Sequence, residues 1–124
     1  MLELIPSIPI EADRPRVLRF GAGAVLRLER ACDKPITQIL EDLQAQARSK
    51  HMRMGLLLEI LVAGLQHEEP TLTAEVLAEA MGARYGREWL PHIINLVPAI
   101  GSAIRAAFPA AKEDLPNAIE QQPQ

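Results

Sequence analysis

One stretch limits the folds open to this chain more than any other: Met54-Gly-Leu-Leu-Leu-Glu-Ile-Leu-Val-Ala-Gly-Leu65. At helical spacing Met54, Leu57, Leu58, Leu61, Val62 and Leu65 make one face, and Leu56, Ile60 and Ala63 put apolar groups on the other sides. A helix that is apolar nearly all round must be enclosed, either by its own chain or by a partner. It is expected over residues 50–66 with Ser49 as its cap. Gly55 and Gly64 each cost about 1 kcal/mol against Ala in a helix interior, so close packing is expected at both.

The rest of the sequence supplies what can surround it. Ile36, Ile39, Leu40, Leu43 and Ala47 follow the apolar period of an amphipathic helix over residues 36–48, opened by Asp33 as N-cap and Pro35 in the first turn. An earlier helix over residues 22–32 carries Val25, Leu28 and Cys32 on one stripe. Thr73 caps a short helix over residues 74–81, with Glu75 near its positive end. Residues 87–108 read as a last helix with Ile93, Val97, Ile100, Ile104 and Phe108 on one stripe, bent or split by Pro98. Ahead of the helices, residues 2–10 and 16–20 alternate in character around the turn chemistry of Glu11-Ala-Asp-Arg-Pro15, which predicts a hairpin. Pro6 and Pro9 remove ladder donors and confine the first strand to an edge. Gly21-Ala22-Gly23 reads as a turn with positive φ. The expectation is a mainly α fold: one domain over residues 1–112 with about five helices, a hairpin in residues 1–20, and a mobile polar tail over residues 113–124.

Composition agrees with helix-on-helix packing. With 124 residues the chain suits a single core, and with two Phe, one Tyr and one Trp that core must be aliphatic. The net charge of -3 and the scatter of Lys and Arg among acids argue against a nucleic-acid binder. Polar and Pro residues interrupt the apolar run from Trp89 to Phe108, which argues against a membrane span. Cys32 alone forms no intrachain disulfide, and the first residues lack the basic start and long apolar run of a secretory leader, so a cytoplasmic setting is expected.

Motifs for chemistry are sparse. His51, His67 and His92 are not spaced as metal ligands, and His67-Glu-Glu lacks the second imidazole of the zinc-protease helix. Cys32 sits at a helix C-terminus, which disfavours a thiolate. Gly21-Ala-Gly23 lacks the further elements of a phosphate loop. The reading is therefore a non-enzymatic protein without cofactor or metal, whose surplus apolar surface meets a partner. Leu57, Leu61 and Leu65, or Ile93, Val97, Ile100 and Ile104, are the candidate contact stripes. Rival readings are a helical regulatory or oligomerisation module, an enzyme assembled from His51, His67 and Glu68, and a DNA binder using Arg48, Lys50 and Arg53.

The run Arg16-Val-Leu-Arg-Phe-Gly-Ala-Gly-Ala-Val-Leu-Arg-Leu-Glu29, then Pro35-Ile36 with Leu40 and Leu43, Ala63-Gly64-Leu65, and His67-Glu-Glu-Pro-Thr-Leu-Thr73 follow one another in an order that resembles the tail assembly chaperones of tailed bacteriophages, prophages and gene transfer agents. The likeness spans residues 16–81. It implies a protein that binds the tape-measure protein and recruits tail-tube subunits during virion assembly. It further implies a host-cell cytoplasmic location and absence from the mature particle. With the charge pattern and the interrupted apolar run, no nucleic-acid or membrane partner is expected, and a second copy of the chain is a candidate partner.

Overall fold

A computed structural model describes residues 7–107. Within them run β1 Ile8–Glu11, β2 Pro15–Leu18, α1 Ala22–Cys32, α2 Ile36–Ser49, α3 Met54–Leu65, α4 Ala74–Tyr85, α5 Trp89–Asn95 and α6 Val97–Ala107. A 3-10 turn, Gly86–Glu88, joins α4 to α5. The chain is mainly helical with an antiparallel two-stranded hairpin at its start. The expected last helix is divided, so six α-helices stand among the described residues where about five were expected. The break falls at Leu96, just before the proline at the second position of α6, where a missing N–H removes no helical hydrogen bond. Phe108 and the expected tail over residues 113–124 lie outside the described residues, as do Leu2, Leu4 and Pro6 of the expected first strand.

The all-apolar segment is the centre of the molecule. In α3 every residue from Leu57 to Leu65 except Glu59 is buried. α1 and α4 pack on it, and α6 and β2 reach it from the hairpin side. The amphipathic helices turn Ala24 and Leu28 (α1), Ile39 and Leu43 (α2), Leu77 and Met81 (α4), and Ile100, Ala103 and Ile104 (α6) into the same core. Val25, Cys32, Ile36 and Leu40 are half-buried at its margin, and Ala47 is exposed.

Several helix ends differ from expectation. Asp33 does not open α2: it closes α1 in the left-handed conformation, φ 55°. Pro35 is the N-cap of α2, and the orphan Ile36 N–H is met by Glu29 Oε2 at 2.7 Å, a carboxylate reaching over from α1. Similarly Ser49 ends α2, Lys50 caps it at φ 64°, and α3 begins only at Met54. The Arg53 N–H ahead of α3 is bonded by Gln46 Oε1 at 2.8 Å. In both places a side chain from the preceding helix supplies the acceptor that local sequence was expected to supply. Gly21 is extended, φ −91°, because β2 feeds directly into α1 and no reversal is needed. Thr73 caps α4 as expected, its hydroxyl accepting from the Val76 N–H at 3.2 Å. That helix runs on one further turn to Tyr85.

The hairpin is part of the core. Register pairs Ile8 with Leu18, Pro9 with Val17 and Ile10 with Arg16. Alternation then sends Ile10, Arg16 and Leu18 inward, with Phe20 following on the same side. Leu18 and Phe20 close on α3 at Gly64, where an added Cβ would lie 2.8 Å from Leu18 Cδ2 and from Phe20 Cζ. The Arg19 N–H donates to the Gly64 carbonyl at 2.9 Å. Gly64 is therefore the close-packing glycine the sequence suggested; Gly55 is not, since nothing lies within 4 Å of a Cβ built there.

Candidate functional site

The side chains first chosen as contact stripes lie inside the molecule. Leu57, Leu61, Leu65, Ile93, Ile100 and Ile104 are buried, and Val97 is half-buried against them. In this conformation they hold the helices and hairpin together, and only Val97 keeps part of its surface open. The sequence pattern located each apolar face correctly but could not say that the chain itself covers it.

What covers them is secured by a polar clasp around the hairpin turn. Arg16 occupies an inward strand position and is buried, so its charge must be matched there. Asp13 takes it in a fork, with Nε to Oδ1 at 2.6 Å and Nη2 to Oδ2 at 2.9 Å. Arg16 Nη1 lies 3.0 Å from Glu69 Oε1, near enough for an ion pair but off the line of a hydrogen bond. The hydrogen bond from Arg16 holds the Asp13 carboxyl below the usual carboxylate range, against the opposing effect of burial. Asp13 and Glu69 in turn keep the guanidinium charged at any accessible pH. The alternation of Arg16 with Leu18 and Phe20 was the signal for this buried cation.

The remaining contacts come from far along the chain. Tyr85 donates its hydroxyl to the Ala12 carbonyl at 2.7 Å, and Arg84 adds a 3.3 Å bond to the same oxygen and a 3.0 Å ion pair to Glu11. His92 stacks on the Tyr85 ring, with centroids 4.0 Å apart, and bonds the Glu11 carbonyl. His67 bonds the Val17 carbonyl at 2.8 Å. A carbonyl only accepts, so both imidazoles must carry a proton on Nε2. Between them, α3, α4 and α5 close the outer edge of β2 and the far end of β1, while Pro9 blunts the remaining edge.

The groups proposed for chemistry are not brought together. His51 and His67 flank opposite ends of α3, a helix of 12 residues, roughly 18 Å at the usual rise. No cluster of three or more His, Cys, Asp or Glu among the described residues is placed to hold a metal. Cys32 borders an open depression of about 520 Å³ with Lys34, Asp42, Gln46, Arg53 and Glu59. Lys34 pairs with Asp42 there at 2.8 Å, and burial and then the Glu59 charge push the Cys32 thiol up, opposite to nucleophilic activation. No described helix is long and apolar enough to cross a membrane.

The features that remain are outward-facing apolar side chains. Leu90 and Ile94 stand one turn apart on α5 with 40% and 43% of their surface exposed. Leu26 on α1 is 49% exposed and Val76 on α4 52%. Sequence periodicity missed them: Leu26, Leu90 and Ile94 lie off the main apolar stripes of their helices, and α4, with small apolar residues on several sides, has no stripe to read. No protein-family profile, curated protein or solved structure matches the chain.

Proposed function

We propose that this chain is a non-enzymatic assembly chaperone of the tailed-phage type, which binds helical segments of a tape-measure protein and helps bring tail-tube subunits to it. The order of motifs between Arg16 and Thr73 supports the assignment to that family. The observation that carries the binding role is the pair Leu90 and Ile94, spaced i, i+4 on a short helix and turned to solvent. Two apolar side chains at that spacing fit into the face of another amphipathic helix. Because Ile93 on the same helix is buried, α5 is fixed to the core by one side and offers the other. The contact surface is thus the reverse of the stripe through Ile93, not that stripe itself. Each contact is small, and many copies along one extended chain bind by multivalency.

The test is capture of fragments of a tailed-phage tape-measure protein by the full chain. Wild type is expected to retain a fragment, and the double variant Leu90→Asp, Ile94→Asp to lose it while keeping the wild-type melting curve. A well-folded wild-type chain that retains no fragment from any part of the tape measure overturns the proposal.

A further inference from the structure

The other two exposed apolar residues sit in oppositely charged surroundings. On α1, Gly23, Leu26, Arg27 and Arg30 are neighbours at i, i+3 and i+4 and all are exposed. The acid of this helix, Glu29, is turned away to cap α2 at Ile36. Among the described residues neither Arg27 nor Arg30 has an ion-pair partner. On α4, Glu75, Val76, Glu79 and Ala83 are likewise neighbours and exposed. Among the described residues neither glutamate is paired. One face is thus Leu26 flanked by two arginines, and the other is Val76 flanked by two glutamates. On each helix like charges stand about one turn apart and repel, by a few tenths of a kcal/mol per pair, until a counter-charge arrives.

From this complementarity we infer that the chain binds a second copy of itself, the Leu26–Arg27–Arg30 face of α1 in one copy taking the Glu75–Val76–Glu79 face of α4 in the other. The two faces cannot meet within one copy. α1 and α4 both pack on α3, α1 through Ala24 and Leu28 and α4 through Leu77 and Met81, so Leu26 and Val76 lie on the sides away from the core. In the contact Leu26 and Val76 cover each other and Arg27 and Arg30 meet Glu75 and Glu79; the Arg27 guanidinium lies over Gly23, where a Cβ would come within 3.3 Å of Nη1, so its charge sits close to the helix surface beside Leu26. The interface joins unlike faces of the two copies and is heterologous. It is small and charged, so it is weak and salt-sensitive. It does not depend on the tape-measure reading, since it uses neither Leu90 nor Ile94.

Sedimentation velocity on the full chain over a concentration series tests this. At about 0.05 M salt the mean sedimentation coefficient is expected to rise with concentration, and at about 1 M salt, where the Debye length is near 3 Å, the rise is expected to vanish. Arg27→Glu with Arg30→Glu should weaken association about tenfold or more, and so should Glu75→Arg with Glu79→Arg. Mixing the two doubly substituted chains should restore it, because each then offers the other a complementary face. Should either charge variant fail to fold by circular dichroism, Leu26→Ser with Val76→Ser reads the same contact, and the same loss is expected. A chain that stays monomeric at low salt up to about millimolar concentration overturns the inference. So does association that survives both charge reversals, or a mixture of the reversed chains that does not associate.

Discussion

Replacing Gly64 by Ala, and separately Gly55 by Ala, isolates the closure of the hairpin on the central helix. Both glycines lie in α3, so both substitutions gain up to about 1 kcal/mol of backbone preference, less toward the helix ends. They differ in what the new methyl meets. At Gly55 it meets nothing within 4 Å; at Gly64 it would sit 2.8 Å from Leu18 Cδ2 and from Phe20 Cζ. Carbon atoms prefer about 3.5–4.0 Å, so a shift is forced. Leu18 and Phe20 are themselves buried, and the backbone beside them is tied to the Gly64 carbonyl by the 2.9 Å bond from Arg19. Either those side chains leave their rotamers or the hairpin lifts, at a cost of about 1–3 kcal/mol. Gly55→Ala is therefore expected to stabilise slightly, and Gly64→Ala to lie about 1–3 kcal/mol below it. Urea unfolding followed by circular dichroism, with a shared m value, measures the difference. Equal stabilisation by the two substitutions would refute the packing argument, because propensity alone would then account for both.

The buried fork makes stability depend on acid. The Asp13 carboxyl is held below its unfolded value of about 3.9, so the unfolded chain binds the proton first; the contribution is complete above pH ~4 and drains away as pH falls through the folded value. Asp13→Asn is expected to cost about 2–3 kcal/mol at pH 7, less than a wholly unmatched buried charge because Glu69 still faces Arg16, and to flatten the fall in stability below pH ~4 in urea titrations at each pH. Glu29→Ala, which strands the Ile36 N–H at the start of α2, is expected to cost about 1–2 kcal/mol, with Glu29→Gln recovering part of it; equal urea midpoints for the Ala and Gln variants would deny the carboxylate its capping role.

Local chemistry wrote some of this fold plainly into the sequence. The bounds of α1, the Thr73 cap, the split ahead of Pro98 and the hairpin around Asp13 each follow from residues within a few positions of one another. Caps supplied from a distance did not follow. Glu29 serves Ile36 and Gln46 serves Arg53, so Asp33 and Ser49, which have the right chemistry in the right place, are used differently. The candidate site was the least legible part. Periodicity finds the apolar side of a helix, but whether that side is covered depends on where the hairpin, Tyr85 and His92 come to rest. Leu90 and Ile94, apolar on the wrong side, were masked by the stronger stripe through Ile93, Val97 and Ile100.

The burial of the first-chosen stripes also bears on how a partner can bind. Exposing Leu61, Leu65, Ile100 and Ile104 requires moving the hairpin, which buries Ile10, Leu18 and Phe20. At about 1.5–3 kcal/mol each, those three side chains contribute up to ~5–9 kcal/mol, before the Arg16 fork and the Tyr85 bond are considered. Domains of this kind have only about 5–15 kcal/mol in total, so lifting the hairpin and unfolding the chain are nearly the same event. A partner that used the α3 stripe would have to trap an unfolded chain and supply most of its stability. One that uses Leu90 and Ile94, or Leu26 and Val76, meets the native state as it stands. On the proposed reading the contacts between molecules fall to the few apolar side chains outside the core, and their strength would then come from the charges around them and from the number of copies engaged.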